Sequence, residues 1–370
     1  MAQDGTHDLY VSGDFTTYNG TAANHLIRLH PNGSVAQTFG QGFDEVVTFV
    51  ALASDSSNAL YASGPFTQFN GQPVPHVIRL TPAGMRDAAF QATSPGFDFG
   101  LAAIPEDGTR DVYVMGGISR SRPEGNSGLI ARLNPDGIPD STYPVVDFRT
   151  PGDTRGAATI GALAVPPGSG KLYVGGSMAT YNGEVVGSFV RLNADGTLDR
   201  TFPINTTSPS TSTTIVEAIA PARDGSGDVY VGGRIASYNG TPVNSSMRVH
   251  ENGVLDTSYV QGTQLVPTVI CPAQDGTGDV FLSGFTAASP NVVFRLLRLD
   301  RTGAVVSTFH EPTLGAQAPN DGWVLTVVPV LDGTRDLYIG GVFTTYNGVP
   351  VNHFARIHAD GSLASVVNEV

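Results

Sequence analysis

The stretch Asp336–Gly348, DLYIGGVFTTYNG, recurs along the whole chain. Near-copies begin at Asp8 (DLYVSGDFTTYNG), Lys171 (KLYVGGSMATYNG) and Asp228 (DVYVGGRIASYNG), and looser ones at Ala59, Asp111 and Asp279. Aligned on Leu9, Leu60, Val112, Leu172, Val229, Val280 and Leu337, the steps are 51, 52, 60, 57, 51 and 57 residues. A period of this size means that one supersecondary unit is stacked repeatedly, each copy burying the apolar face of its neighbour.

Each unit carries four short apolar segments, here a, b, c and d, separated by turn residues. In the second they are Val46–Ala53, Ala59–Phe66, His76–Thr81 and Arg86–Gln91. Segments of this length, rich in Val, Ile, Leu and aromatics and bounded by Gly, Pro, Asn or Asp, read as strands. Asp-Gly pairs lie between a and b (Asp224-Gly225, Asp275-Gly276, Asp332-Gly333), and Asn-Gly or Asp-Gly pairs between c and d (Asn32-Gly33, Asp195-Gly196, Asp360-Gly361). They predict hairpin turns with positive φ at both central residues. The d-to-a links are long and variable, as in Pro144–Ala158, Pro203–Thr214 and His310–Gly322.

Four antiparallel strands repeated seven times predict an all-β, seven-bladed β-propeller with segment a nearest the axis. The expected blades are 1–44, 45–96, 97–155, 156–213, 214–264, 265–321 and 322–370, together forming a single domain. The first is expected to lack its own complete inner strand, because Met1–Thr6 holds only the tail of an a segment. On this reading the chain is part of a longer protein.

The net charge of −13, with one lysine (Lys171) among 20 basic residues, argues against nucleic acid or anionic membrane as partner, since phosphate neutralisation needs clustered cations. No apolar run reaches the roughly 18 residues of a membrane span. A single cysteine, Cys271, allows no internal disulfide.

The combined pattern LYVGGxFTxYNG, then IARLNxDGSLDxTF, then VxAIAxxxDG, resembles the delta-60 repeat family of bacterial β-propellers. It is seen here as LYIGGVFTTYNG with FARIHADGSLASVV, and as LYVGGSMATYNG with FVRLNADGTLDRTF. The third unit (SRSRPEGNSG) and the sixth (TAASPN) depart from it. The resemblance implies a propeller fold and a secreted or cell-surface bacterial location, and no particular activity.

Several motifs admit a functional and a structural reading. The YNG turns at Tyr18, Phe69, Tyr181, Tyr238 and Tyr346 could form a sugar-stacking ring, but repetition in so many units favours turn formation and packing between blades. The strand-c arginines Arg28, Arg79, Arg132, Arg191, Arg248, Arg298 and Arg356 could line an anion site. A planar five-donor fork recurring in every unit better suits ion pairs or carbonyl contacts between blades. The DGTxD turns look like the tail of an integrin-type calcium loop, yet positions such as Ala273 and Cys271 offer no upstream oxygens, and calcium takes six to eight. His25, His76 and His353 fall on separate sheets, too far apart for one zinc. No metal or cofactor is expected.

Alternating strand direction puts the d-to-a links and the YNG loops on one face and both sets of Asp-Gly hairpins on the other. The expected function is non-enzymatic recognition or adhesion, binding glycan or a surface protein through the linker face. A carbohydrate-active lyase or hydrolase with carboxylates near the channel is the first alternative, and a structural spacer the second. The candidate ligand-binding residues are Trp323, the only tryptophan, with His310, Glu311, Asn320 and Asp321 from the link before it. Trp323 could equally be a core residue sealing the junction between the sixth and seventh blades.

Overall fold

The computed structural model describes residues 1–93, 98–105, 109–117, 128–149, 159–203, 214–286, 292–315 and 322–365. Within these it is all-β, without any helix long and apolar enough to cross a membrane.

The organising segment forms strand b in all seven units, from Leu9–Ser12 to Leu337–Val342. Each pairs antiparallel with its own strand c, for example Val229–Arg234 with Ser246–Val249 and Leu337–Val342 with Phe354–Ile357. Six units add an inner strand a: Phe49–Leu52, Asp98–Ala103, Thr159–Ala164, Ile215–Pro221, Leu265–Pro272 and Trp323–Pro329. Among the described residues the first unit shows none. Leu60–Ser63 is buried throughout, whereas in the equivalent Leu9–Ser12 only Leu9 is. The core lies between successive sheets: Tyr173, Phe189 and Phe202 of the fourth unit pack on Val216, Val229 and Met247 of the fifth.

Five inner strands shift register at one position, between Phe99 and Leu101, Ile160 and Ala162, Val216 and Ala218, Pro267 and Val269, and Val324 and Thr326. One extra residue there bends the strand. The bend explains the glycine at this point of the fifth, sixth and seventh units: a Cβ on Gly233, Gly284 or Gly341 would collide with the carbonyl of Ile215, Val266 or Trp323.

Two expectations need correction. The blades are not uniformly four-stranded. Segment d forms a strand at Val35–Thr38 and Leu363–Ser365, but shrinks to one bridge in others, such as Leu192 with Leu198 and Val249 with Leu255. The cause is the Asp-x-Thr turn that follows: Asp199 accepts hydrogen bonds from the Thr201 amide (3.0 Å) and hydroxyl (2.6 Å), ending the ladder. Phe202 then packs beside Gly253 in the c–d turn of the next unit. The Asp-Gly pairs also differ from expectation. Among described residues their Gly alone has positive φ, as in Gly33 (82°) and Gly225 (78°), and the hairpins have longer loops. Positive φ at both positions belongs to the Asn-Gly of YNG, such as Asn182 (47°) and Gly183 (86°).

The YNG loop is itself a small hairpin, for example Thr180–Tyr181 with Glu184–Val185, and it pairs with the link of the preceding unit. The Asn182 amide donates to the Asp147 carbonyl (2.8 Å), and the Asn182 side-chain oxygen accepts from the Asp147 amide (3.0 Å). Asn70 clasps Gly42 and Asn347 clasps Thr313 in the same two-way manner. The first and last units also touch: Leu9 packs with Val330, Tyr338 and Phe354.

Candidate functional site

The repeated polar residues are occupied structurally. Tyr18, Tyr181, Tyr238 and Tyr346 are buried and each donates its hydroxyl to the c–d turn glycine carbonyl of its own unit, as in Tyr238 to Gly253 at 2.6 Å. They leave no stacking ring at the surface. The strand-c arginines bind carboxylates at the mouth of the a–b hairpin: Arg248 holds Asp228 (2.8 Å) and Asp224 (2.5 Å), and Arg356 holds Asp336 (2.7 Å) and Asp332 (2.8 Å). Some also reach the next unit, Arg132 to the Ala194 carbonyl (2.7 Å) and Arg298 to that of Ala359 (3.0 Å). Burial alone would raise the Asp224 carboxyl, but hydrogen bonds from Ser226 and Arg248 hold it below its ordinary value.

Asp228, His250 and Asp256 converge closely enough to hold a metal ion, a grouping the sequence did not suggest. The Arg248 guanidinium already supplies the positive charge there, with Nε 2.8 Å from Asp228 and 3.6 Å from Asp256. Equivalent arginines hold hairpin carboxylates in four other units. Cys271 is buried, and burial pushes its thiol up to about 12, which makes it unreactive.

The surface that departs from this pattern lies where the repeat itself departs. The sixth unit lacks YNG, so its b and c strands run on as a straight hairpin, Val280–Thr286 against Val293–Leu299. Its end carries Phe285 and Phe294, both half-buried, with ring centroids 6.4 Å apart. Phe294 meets Trp323 of the seventh unit at 4.5 Å, and Arg234 of the fifth lies over Phe285 at 5.4 Å. Trp323 is 37% exposed, so it is not a sealed core residue. Around the rings Val292, Val293, Leu325 and Val342 are exposed. Glu217, on the bend of the fifth inner strand, sits 3.7 Å from Arg234. Burial raises its carboxyl above the ordinary value, and Arg234 offsets that only in part.

Of the residues expected here, Glu311 is joined to the patch through Arg295, the neighbour of Phe294, by a two-pronged pair at 2.6 Å. His310 is engaged elsewhere: its amide and Nδ1 both contact the Asp360 carbonyl in the c–d turn of the seventh unit. Asn320 and Asp321 lie outside the described residues. Phe285, Phe294, Arg234 and Glu217 were missed by the sequence reading, although the absence of YNG from the sixth unit marked the place.

Residues 8–39, 56–90, 168–202 and 335–363 match the family model described as "Domain of unknown function (DUF5122) beta-propeller". The repeats are of β-propeller type. No curated protein matches the sequence. Among solved structures, the propeller-type chain is similar to a GH74 xyloglucanase from Xanthomonas campestris at 17% identity and TM-score 0.48, over 87% of this chain and 46% of that enzyme. It thus spans about half the enzyme's length. Another similar structure is Sqt1 of Chaetomium thermophilum bound to the N-terminus of ribosomal protein L10, with 12% identity and TM-score 0.43 over 98% and 88% of the two chains.

Proposed function

We propose that the chain is a seven-bladed β-propeller acting as a non-enzymatic recognition module of a secreted or cell-surface bacterial protein. It binds glycan or a surface protein on the linker face, at the patch formed by Phe285, Phe294 and Trp323. Seven blades are supported by the seven b–c pairs and by the contact between the first and last units. The binding role rests on one observation: three partly exposed aromatic rings in a row, drawn from two units, in a protein whose YNG rings are buried. Planar apolar rings flanked by charged hydrogen-bonding groups suit stacking against sugar rings or anchoring a partner loop. Arg234 with Glu217, and Arg295 with Glu311, supply those groups.

A glycan array and a pull-down from surface extracts, each run with the wild type and with Trp323→Ala, test this. Binding to a defined glycan or protein that falls at least tenfold in the variant supports the reading. A ligand held equally by both would overturn the site. A hydrolase or lyase remains the competing reading, because Glu217 has the raised carboxyl that a general acid requires. Sugar release from the array glycans, lost in Glu217→Gln, would replace the recognition reading with the enzymatic one.

A further inference from the structure

On the Asp-Gly face, the fourth unit breaks the arginine pattern. In five units the Nη2 of the strand-c arginine binds a carboxylate of the a–b hairpin: Arg28 to Asp4 (2.5 Å), Arg79 to Asp55 (2.7 Å), Arg248 to Asp224 (2.5 Å), Arg298 to Asp275 (2.8 Å) and Arg356 to Asp332 (2.8 Å). The fourth hairpin instead reads Pro166-Pro167-Gly168-Ser169-Gly170-Lys171 and is one residue shorter than Ala222–Asp228 of the fifth. It has no carboxylate, and Lys171 stands where Asp228 or Asp336 enters strand b. Arg191 is nevertheless retained and is only 6% exposed. Among the described residues its Nη2 bonds only the Thr201 hydroxyl, at 3.4 Å, while Nη1 donates to the Tyr173 hydroxyl (3.1 Å) and the Glu251 carbonyl.

The local charge is correspondingly altered. Arg248 faces Asp224, Asp228 and Asp256, whereas Arg191 and Lys171 share one carboxylate, Asp199, at 2.9 and 3.0 Å. Beside them opens a cavity of about 400 Å³ between the fourth and fifth units, lined by Ser169, Lys171, Tyr173, Arg191, Arg223 and Ser226. Two acids also lie in its wall. Asp228 is taken by Arg248 and His250, while the Glu251 side chain rests near Gly227.

We propose that this cavity is a binding site for a carboxylate ligand, seated between Arg191 and Lys171 where five other units place their own aspartate. A planar guanidinium edge matches a carboxylate, and the ammonium adds a point charge. The volume is within the range of small-molecule sites, enough for a sugar acid. A free organic acid and a uronic acid present the same group. The site is separate from the aromatic patch and does not depend on it.

Calorimetric titration in low-chloride buffer with acetate, glucuronate and glucose separates the sources. Saturable binding of acetate and glucuronate, but not glucose, assigns the site to the carboxylate alone. Binding of glucuronate only adds the sugar ring as a determinant and equally supports a carboxylate site. Lys171→Gln should weaken binding at least tenfold. Glu251→Gln should tighten it by removing a like charge. Replacing residues 166–171 with the Ala222–Asp228 sequence should abolish binding while retaining the β-type circular dichroism spectrum, because the chain then supplies its own carboxylates. Absence of binding to both acids, or affinity unchanged in Lys171→Gln, would overturn the proposal.

Discussion

The Tyr338 hydroxyl of the seventh unit donates to the Pro31 carbonyl of the first, 3.3 Å away across 307 positions. Pro31 immediately precedes the Asn-Gly of its c–d turn, the place that Ala194 and Ala359 hold where Arg132 and Arg298 reach them. The last unit therefore meets the first through the same turn position that other neighbours use. Tyr338→Phe should lower the melting temperature, because a buried hydroxyl bond is worth about 1 kcal/mol. Denaturant unfolding monitored by tyrosine fluorescence reads it, and an unchanged midpoint would show that this junction bears no load.

The Asn182 clasp predicts a separable pair of effects. Asn182→Gly keeps the left-handed turn and removes only the side-chain bond to the Asp147 amide, so it should cost about 1 kcal/mol. Asn182→Ala must also take up positive φ and should cost about 1 kcal/mol more. Equal losses in the two variants would argue that the clasp contributes nothing.

Arg248→Met should be among the most damaging substitutions, because it strands Asp224 and Asp228 beside each other. Breaking a buried pair by removing one partner typically costs about 3–5 kcal/mol. Equilibrium unfolding at neutral pH provides the check, and a loss below about 1 kcal/mol would contradict the assignment.

Acid stability follows from the same groups. Asp4, despite some burial, is lowered from 3.8 to about 2 by Thr6 and Arg28, and Asp224, Asp275 and Asp332 are lowered likewise. Depressed folded values mean that the unfolded chain takes up protons first. Stability is thus complete above pH 3.8 and is lost as pH falls toward about 2. Glu217 acts in the opposite sense. Its raised value favours folding at low pH; that contribution is complete below the ordinary 4.5 and is lost as pH rises through the higher folded value. Melting curves of Glu217→Gln and wild type should converge below pH 4 and separate at pH 7, with the variant the more stable. The reverse order would mean that the pair with Arg234 outweighs the burial.

Trp323→Ala should lose ligand with little loss of stability, since the 37% exposed indole has less to lose than the roughly 3–5 kcal/mol of a core aromatic. A core-sized loss would return Trp323 to the junction between units.

The repeat was legible because each b and c segment must hide an apolar face, and that requirement leaves the Leu-Tyr-Val-x-Gly pattern at every copy. The structural roles of Arg248 and Tyr238 were legible for the same reason. Other features depend on pairs that no single unit contains. The Asn182 bond joins one unit to the preceding link, and Phe294 meets Trp323 only across a boundary. The reduction of segment d was hidden in the Asp199–Thr201 turn, whose bonds outcompete the ladder.

The straight hairpin of the sixth unit gives this architecture room for variation. Asn70, Asn182 and Asn347 are tied to the preceding link, and Tyr18, Tyr181, Tyr238 and Tyr346 to their own turns, so a change at any of these weakens a joint. Where the motif is gone, as in the sixth unit, the sequence supplies no YNG asparagine or tyrosine, so exchanges there break neither of those two bonds. Diversity of recognition among relatives should therefore accumulate at the copies that have dropped the lock, while the faithful copies hold the frame that presents them.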